Sequence, residues 1–107
     1  MAFDVIIASR YYGGMIRSFR DRDSERVFRR ERVGKFGLPL QRASLRKLLL
    51  LDAAESLDDL RVPPANHLEK MAGDREGQYS IRINDQWRLC FRWEEGSAYD
   101  VEIIDYH

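Results

Sequence analysis

Alternation with a period of two in the C-terminal half is the sequence feature that most constrains how this chain can fold. Apolar side chains fill every second position of three consecutive segments, and mainly polar side chains lie between them. The apolar positions are Tyr79, Ile81 and Ile83, then Trp87, Leu89, Phe91 and Trp93, and then Tyr99, Val101 and Ile103. Turn-forming residues separate the segments at 84–85 and 94–97. Because successive side chains of a strand point to opposite faces, the pattern predicts an antiparallel meander with one apolar face.

The N-terminal half predicts helices instead. Capping residues precede a segment from about Ser24 to Lys35, in which Val27 and Phe28 supply the apolar side. A second segment, from Pro39 to about Ala54, has leucines at helical spacing. With a short strand at 16–19, these elements predict an α+β fold, in which two N-terminal helices pack on one face of an antiparallel sheet of about four strands.

The length of 107 residues predicts one compact domain. Residues 1–14 differ from the rest, and the break Tyr11-Tyr12-Gly13-Gly14 separates them from Met15. We expect residues 15–107 to form the domain. We expect residues 1–14 to be a dispensable leader, either disordered or an additional edge strand.

Composition excludes several classes of protein. The longest near-apolar run, 5–8, is too short to cross a bilayer or to form a signal-peptide core, which predicts a cytoplasmic protein without membrane attachment. The single cysteine, Cys90, excludes an intramolecular disulfide, and the two histidines lack the spacing of a metal site. We therefore expect neither a metal nor a cofactor.

Charge is balanced over the whole chain but not along it. Lys and Arg together number 18, and Asp and Glu also number 18. Residues 15–47 contain 11 basic and 4 acidic side chains, whereas residues 48–107 contain 6 basic and 13 acidic ones. A basic half beside an acidic half can steer a polyanion to one face, but the same charges can also neutralise each other across the fold. Charge alone leaves both interpretations open.

Arginines concentrate on the face of the predicted sheet opposite the apolar side chains. The alternation places Arg82, Arg88 and Arg92 together on this face, which we expect to be open to solvent. Side-by-side arginines favour an anionic partner, phosphate above all. Cross-strand ion pairs with Asp100 and Glu102 are the alternative, and the pattern does not decide between the two.

Four motifs along the chain resemble those of one protein family. They are Met15-Ile16-Arg17-Ser18-Phe19, the segment from Gly73-Asp74-Arg75 to Asn84, Trp87-Arg88-Leu89-Cys90-Phe91, and the final Asp105-Tyr106-His107. Together they closely resemble the HigB toxins of the RelE/ParE superfamily, the toxin halves of bacterial type II toxin–antitoxin modules, over residues 15–107. The resemblance implies a microbial RNase-like fold and metal-independent cleavage of ribosome-bound mRNA, which inhibits translation. It implies three partners: a HigA-type helix-turn-helix antitoxin, the ribosome with its mRNA, and operator DNA bound through the toxin–antitoxin complex.

The resemblance also implies which residues form the site. Arg82 and Arg88 would hold the scissile phosphate and stabilise its developing charge. Tyr106 and His107 would transfer protons or orient the nucleotide, and Asp105 would position them. The assignment of general base and general acid stays open. The RNA-binding set would comprise Lys70, Arg75, Arg82, Arg88 and Arg92.

Two positions depart from the family pattern. Some members carry a histidine and a lysine just ahead of the Gly-Asp-Arg turn, where this chain has Glu69 and Ala72. The loss of these cations predicts a weaker nuclease. Two alternatives to the nuclease therefore remain: a toxin like the ParE branch, which inhibits DNA gyrase without cutting RNA, and a weakened toxin that acts mainly as an antitoxin-bound co-repressor.

Overall fold

The computed structural model describes residues 6–7 and 14–106, and these residues form one sheet and two α-helices. The strands are β1 (Ile6–Ile7), β2 (Ser18–Phe19), β3 (Glu69–Lys70), β4 (Tyr79–Arg82), β5 (Trp87–Glu94) and β6 (Ser97–Asp105), and the helices are α1 (Arg22–Phe28) and α2 (Leu38–Ala53). Short 3-10 helices at Leu57–Arg61, Pro64–Asn66 and Gly73–Arg75 lie between them. The architecture of the described part is α+β.

The predicted meander of β4, β5 and β6 is confirmed. These strands are neighbours and antiparallel, with Ile81 opposite Leu89 and Leu89 opposite Ile103. The exposed fractions of the three side chains are 0%, 0% and 6%. The alternation of the sequence therefore locates the buried face of the sheet correctly for these positions, but it is wrong for Tyr99. A register shift next to Asp100, whose φ is 53°, places Tyr99 opposite Arg92, with Arg92 Cζ 5.6 Å from the centroid of its ring.

The expectation of about four antiparallel strands is wrong, because three strands of two residues each extend the meander. The six described strands lie in the order β1-β2-β6-β5-β4-β3, and β2 runs parallel to β6, with Phe19 opposite Val101. β3 pairs with the start of β4, where Glu69 lies opposite Ser80. β2 lies within the strand predicted at 16–19, whereas the two residues of β3 are too few for a period of two to be recognised in the sequence.

β1 forms the outer edge of the sheet, next to β2. The other residues before 14, at 1–5 and 8–13, lie outside the described part of the chain, and the proposal that 1–14 is dispensable stays a prediction. From residue 14 onward the end of α2 holds the chain in place. The backbone amides of Met15 and Ile16 donate to the carbonyl oxygen and to the carboxylate of Asp52, both at 3.0 Å.

α2 agrees with its predicted bounds to within one residue, whereas α1 is shorter than expected. After Phe28 the chain turns through Arg30, whose φ of 65° is incompatible with a continuing helix. The turn brings Val33 and Phe36 into the core, where they are 2% and 4% exposed. Burying these two side chains stabilises the fold more than a further turn of mostly charged helix would.

Both helices share one hydrophobic core with the sheet. Val27 of α1 and Leu48 and Leu51 of α2 are fully buried in the same cluster as Leu89 and Val101. Burial of one such side chain contributes about 1.5–3 kcal/mol. The core thus fixes β4, β5 and β6, and with them the side chains that leave the other face of the sheet.

Candidate active site

Arg88 of β5 is surrounded by polar contacts on the side of the sheet away from the core. It lies opposite Arg82 of β4 and Ile104 of β6, and it is 7% exposed. Its Nε donates to Ser80 Oγ at 2.8 Å, and its Nη2 donates to the carbonyl oxygen of His67 at 2.5 Å. These two acceptors from the protein hold the guanidinium group in one orientation.

The carbonyl of His67 is directed at Arg88 because the chain turns sharply before β3. His67 has left-handed backbone angles, with φ at 45° and ψ at 60°. The preceding Asn66 is fully buried and holds this turn: its Nδ2 donates to two backbone carbonyls of the preceding loop, and its Oδ1 accepts from Lys47 Nζ at 2.6 Å. A buried amide with all these partners fixes the loop firmly.

Two exposed side chains complete the surroundings of Arg88. Glu69, the first residue of β3, places Oε2 3.9 Å from Arg88 Nη1, and 48% of its side chain is exposed. The ring of Tyr106 also contacts the guanidinium group, with its centroid 5.4 Å from Arg88 Cζ. Within the described residues Arg88 Nη1 donates no hydrogen bond. It is therefore the nitrogen of Arg88 that a ligand can use.

Arg82 adds a second cation on the same face of the sheet. It pairs with Asp85, whose side chain is 98% exposed, so the pair contributes little. Burial lowers the pKa of Lys47, and the positive charges of Arg46 and Arg82 lower it further. Lys47, Arg46 and Arg82 therefore lie close enough for their charges to interact.

A cleft of about 380 Å³ opens beside Tyr106, the residue whose ring contacts Arg88. Its lining comprises Met71, Ala72, Asp74, Arg75, Ile104, Asp105 and Tyr106. The backbone amide of Tyr106 donates to the carbonyl oxygen of Gln86 at 2.7 Å, which ties this residue to the turn between β4 and β5. Because Tyr106 is 44% exposed and also contacts Arg88, one aromatic ring borders both the cleft and the buried cation.

The two other residues of the C-terminal motif differ in their placement. Asp105 lies opposite Trp87, one position out of phase with Arg88, so its side chain leaves the sheet on the other face. Its Oδ2 accepts a hydrogen bond from Gln86 Nε2 at 3.1 Å. His107 lies outside the described residues, and its role stays a prediction.

The remaining predicted RNA-binding residues are distributed around this site. Arg75 Nη1 lies 3.1 Å from Glu102 Oε1, and Arg92 Nε lies 2.8 Å from Asp100 Oδ2. The hydrogen bond to Asp100 raises the pKa of Arg92. Lys70 is exposed and forms no ion pair within the described part of the chain. Of the two alternatives left open by the sequence, ion pairing thus holds for Arg75 and Arg92, which have acidic partners. It does not hold for Lys70 within the described part of the chain.

The expectation that this face of the sheet is open to solvent is wrong at its centre. Ser80 and Cys90 are fully buried. Arg88 donates to Ser80 Oγ, and Arg75 donates to Glu102, which lies opposite Cys90 on β6. Burial also raises the pKa of the Cys90 thiol to about 11. A buried, protonated thiol is not a nucleophile at neutral pH.

Sequence reasoning missed part of the environment of Arg88. The alternation predicts the position of Ser80, because Ser80 and Arg82 are two residues apart on β4 and so share one face of the sheet. The carbonyl of His67 had no such signal, because its direction depends on a left-handed turn. From the sequence, Glu69 was notable only because some family members have a cation in this region. In the structure its carboxylate lies next to Arg88.

Neither a metal centre nor a membrane span is found in residues 6–7 and 14–106. No group of three or more His, Cys, Asp or Glu side chains there is arranged to hold a metal ion. No helix of this part is both long and apolar enough to cross a bilayer.

Comparison with known proteins identifies relatives along most of the chain. The family model described as RelE-like toxin of type II toxin-antitoxin system HigB matches residues 17–107. Endoribonuclease HigB of Proteus vulgaris is 32% identical over 95 residues, which are 87% of this chain and 100% of that protein. Toxin HigB-1 of Vibrio cholerae is 48% identical over 59 residues, which are 55% of this chain and 62% of the relative. An uncharacterized protein of Haemophilus influenzae is 46% identical over 59 residues and is covered to 58%. The chain thus spans about three fifths of the length of the Vibrio and Haemophilus relatives.

Proposed function

Because this chain belongs to the HigB-like family of RelE-like toxins of type II toxin–antitoxin systems, we propose that it is a ribosome-dependent endoribonuclease. It cleaves mRNA in the cytoplasm and thereby inhibits translation. The observation that carries the proposal is the pair of arginines on neighbouring strands, Arg82 and Arg88, beside an exposed aromatic ring and a cleft.

The chemistry needs no metal, because RNA contains its own nucleophile. The 2′-hydroxyl attacks the adjacent phosphorus, and negative charge accumulates on the phosphoryl oxygens in the transition state. Arg88 Nη1 and the Arg82 guanidinium donate to these oxygens, and a preoriented donor in a largely buried site stabilises that charge more than water does. The fixed orientation of Arg88, set by Ser80 and the His67 carbonyl, supports this role.

Tyr106 supplies the aromatic surface of the proposed site. Its ring stacks on a base or orients the ribose, and its hydroxyl takes part in proton transfer together with His107. Asp105 positions these terminal residues through its contact with Gln86. Lys70, which has no acidic partner in the described part, contacts the RNA backbone, and Arg75 and Arg92 join it by exchanging carboxylates for phosphates.

The ribosome provides most of the substrate orientation in this proposal. The set of groups around Arg88 is small, and correct positioning of reacting atoms accounts for a large part of a rate enhancement. A HigA-type antitoxin neutralises the protein, and the complex of the two binds operator DNA through the antitoxin.

Expression of the full chain from a tightly controlled promoter tests the function. Messenger 5′ ends are mapped soon after induction for the wild type, for Arg88→Ala, and for Arg61→Ala, which changes an exposed arginine paired with Asp58. We expect growth arrest with new cuts inside translated messages for the wild type and Arg61→Ala, but not for Arg88→Ala. Arrest without cuts would instead support a gyrase inhibitor, and an absence of arrest would support the co-repressor.

A further inference from the structure

We propose that a second cavity, at the edge of the sheet, is a nucleotide subsite that holds the base and phosphate of the nucleotide next to the scissile linkage. This edge cavity has a volume of about 480 Å³ and is lined by the end of β3, the first residue of β4 and the segment between them. Its size is within the range of small-ligand pockets in proteins. The inference rests on the proposed nuclease function and adds to it a recognition site for the message.

The lining of the edge cavity includes an aromatic ring on which a base can stack. Tyr79, the first residue of β4, is partly exposed, and its ring lies at 27° to that of Phe91, with 6.3 Å between the centroids. Phe91 is fully buried and also contacts the ring of Trp93, so a row of three rings holds Tyr79 in place. Bases of any sequence stack on such a preorganised ring.

A cation lies beside this ring. Lys70 is opposite Tyr79 in the pairing of β3 with β4, so the two side chains leave the sheet on the same face. Lys70 is exposed and forms no ion pair in the part of the chain that the structure describes. An unpaired cation next to an aromatic ring matches a nucleotide, in which a phosphate lies beside a flat base.

Two polar side chains of the lining can contact the edge of that base. Gln78 Oε1 accepts from Arg75 Nη1 at 3.2 Å, which leaves the two Nε2 hydrogens of Gln78 as donors for a ligand. Glu76 is exposed and has no ion pair among the described residues. Its carboxylate can accept from the exocyclic amino group of adenine, cytosine or guanine, which uracil lacks. The lining therefore favours a base with an amino group over uracil.

The edge cavity adjoins the cleft beside Tyr106. Met71 and Ala72 line both, so a single segment of backbone separates the two. Ala72 is exposed and its side chain is one methyl group, so it leaves room for a ligand to pass from one opening to the other. Because β3 is an edge strand, RNA can cross here, with one nucleotide in the cleft and its neighbour in the edge cavity.

Two glycines keep the opening of the edge cavity wide. Gly73 and Gly77 both belong to its lining, and their φ angles of 62° and 93° are ones that glycine adopts readily. A Cβ atom added to either residue would meet no other atom within 4 Å, so the space next to them is open. A ligand can occupy this space without displacing a side chain.

Titration of the full chain with the four nucleoside 5′-monophosphates tests the edge cavity without the ribosome. Backbone amide shifts are followed by NMR, and ribose 5-phosphate serves as the ligand that lacks a base. We expect the amides of Gly77 and Gln78 to shift with AMP, GMP and CMP at lower concentrations than with UMP, and least with ribose 5-phosphate. If no nucleotide shifts these amides, the proposal is overturned.

Replacing Tyr79 tests the stacking. Tyr79→Leu removes the ring but keeps an apolar side chain against the core, whereas Tyr79→Phe keeps the ring. We expect Tyr79→Leu to weaken nucleotide binding by about 5–150-fold, the value for one stacked base, and Tyr79→Phe to bind like the wild type. Trp93→Leu is the matched control, because Trp93 belongs to the same row of rings but lines neither cavity nor cleft. A folded Tyr79→Leu variant with the wild-type affinity overturns the proposal.

Two variants of exposed residues test the polar groups without touching the core. We expect Glu76→Gln to reduce the preference for CMP over UMP, because a rotatable amide can also donate to uracil. Lys70→Gln should weaken the binding of all four nucleotides by a similar factor, whereas Lys35→Gln, which removes an exposed lysine paired with Asp23, should not. Unchanged binding in both Glu76→Gln and Lys70→Gln would contradict the assigned contacts.

Programmed ribosomes test whether the edge cavity holds the message. The message has a 2′-O-methyl group at the cleavage site, and the nucleotide on its 5′ side or on its 3′ side is made abasic. We expect one of the two abasic messages to bind the wild type about 5–150-fold more weakly than the intact message, but to bind Tyr79→Leu no more weakly. Additive losses would show that base and ring do not meet, and the subsite would be overturned.

Cleavage of the unmodified message separates the subsite from the function on which it rests. A wild-type protein that cuts mRNA on the ribosome but shows additive losses loses the subsite and keeps the nuclease function. A wild-type protein that binds nucleotides in the edge cavity but cuts no mRNA loses the nuclease function and keeps the nucleotide site.

Discussion

The ring of Tyr106 lies against the guanidinium group of Arg88, with 5.4 Å between the ring centroid and Cζ. One of these side chains is largely buried and the other is 44% exposed, so the pair connects the interior of the site with its surface. An aromatic ring in this position can stabilise a stacked base at the same time as it orients the arginine.

Replacing Tyr106 separates the contribution of its ring from that of its hydroxyl. We expect Tyr106→Ala to weaken binding of a non-cleavable mRNA–ribosome complex by about 5–150-fold, the equivalent of about 1–3 kcal/mol for one stacked base. Tyr106→Phe should bind like the wild type, because it keeps the ring. Equal losses of affinity in the two variants would show that the hydroxyl, and not the stacking surface, matters for binding.

Replacing Arg88 by lysine keeps the charge but removes the fork of donors. Lysine cannot donate to Ser80, to the His67 carbonyl and to a phosphate in the same fixed geometry. We expect the single-turnover cleavage rate of Arg88→Lys to fall by about 10²–10³-fold, the usual effect of one lost transition-state donor. Arg61→Lys serves as the control, and an Arg88→Lys variant with the wild-type rate would remove the arginine from the proposed mechanism.

The ion pair between Arg75 and Glu102 predicts how RNA affinity depends on charge. If Arg75 exchanges Glu102 for a phosphate, Glu102→Gln should strengthen RNA binding, because the competing carboxylate is gone. Arg75→Gln should weaken it and reduce the slope of log affinity against log salt concentration by about 0.7, the value for one phosphate contact on a single strand. Fluorescence anisotropy with a single-stranded RNA over a range of salt concentrations measures both effects. If neither variant changes the affinity, the pair is purely structural.

Asn66 should be among the most sensitive positions for stability outside the apolar core. Its amide satisfies two backbone carbonyls and accepts from Lys47, all with little access to solvent. Asn66→Ala leaves these groups without a partner, and we expect it to lower the free energy of unfolding by about 2–4 kcal/mol. Denaturation with urea measures this change. A loss below about 0.5 kcal/mol would mean that water replaces the amide at no cost.

The raised pKa of Cys90 predicts a loss of stability at alkaline pH. Between the ordinary value of 9.0 and about 11 the unfolded chain loses the thiol proton while the folded protein keeps it. Unfolding then releases a proton, so the free energy of unfolding falls as pH rises through this range. Cys90→Ala should lack this component, measured as the difference between the two proteins at pH 8 and pH 11. At pH 7.5 the wild-type thiol should react with iodoacetamide only after unfolding, and rapid alkylation of the folded protein would contradict its burial.

The meander and its buried face could be predicted because each depends on local alternation. Leu89 is buried and its neighbour Arg88 points the other way because the strand geometry requires it. The same rule places Arg82 and Arg88 side by side, and the two residues are opposite each other on β4 and β5.

The environment of Arg88 could not be predicted in this way because it depends on distant segments. The two-residue strand that carries Glu69 has no periodicity of its own, and the carbonyl of His67 is directed by a turn that the buried Asn66 holds. Arg75, the last residue of the turn at Gly73–Arg75, donates to Glu102 on what alternation alone describes as an exposed face. Tertiary contacts of this kind decide whether a strand residue is a surface cation or a buried one.

The order of the strands places the β1 edge of the sheet, where another protein could add a strand, far from the arginines near β3. β1 and β3 are the opposite edges of the sheet, with four strands between them, and the usual spacing of neighbouring strands puts them about 24 Å apart. A protein that adds a strand to the β1 edge would therefore leave the arginines near β3 uncovered. Inhibition by an antitoxin held only at that far edge would have to act by keeping the toxin away from the ribosome, since RNA could still enter the cleft.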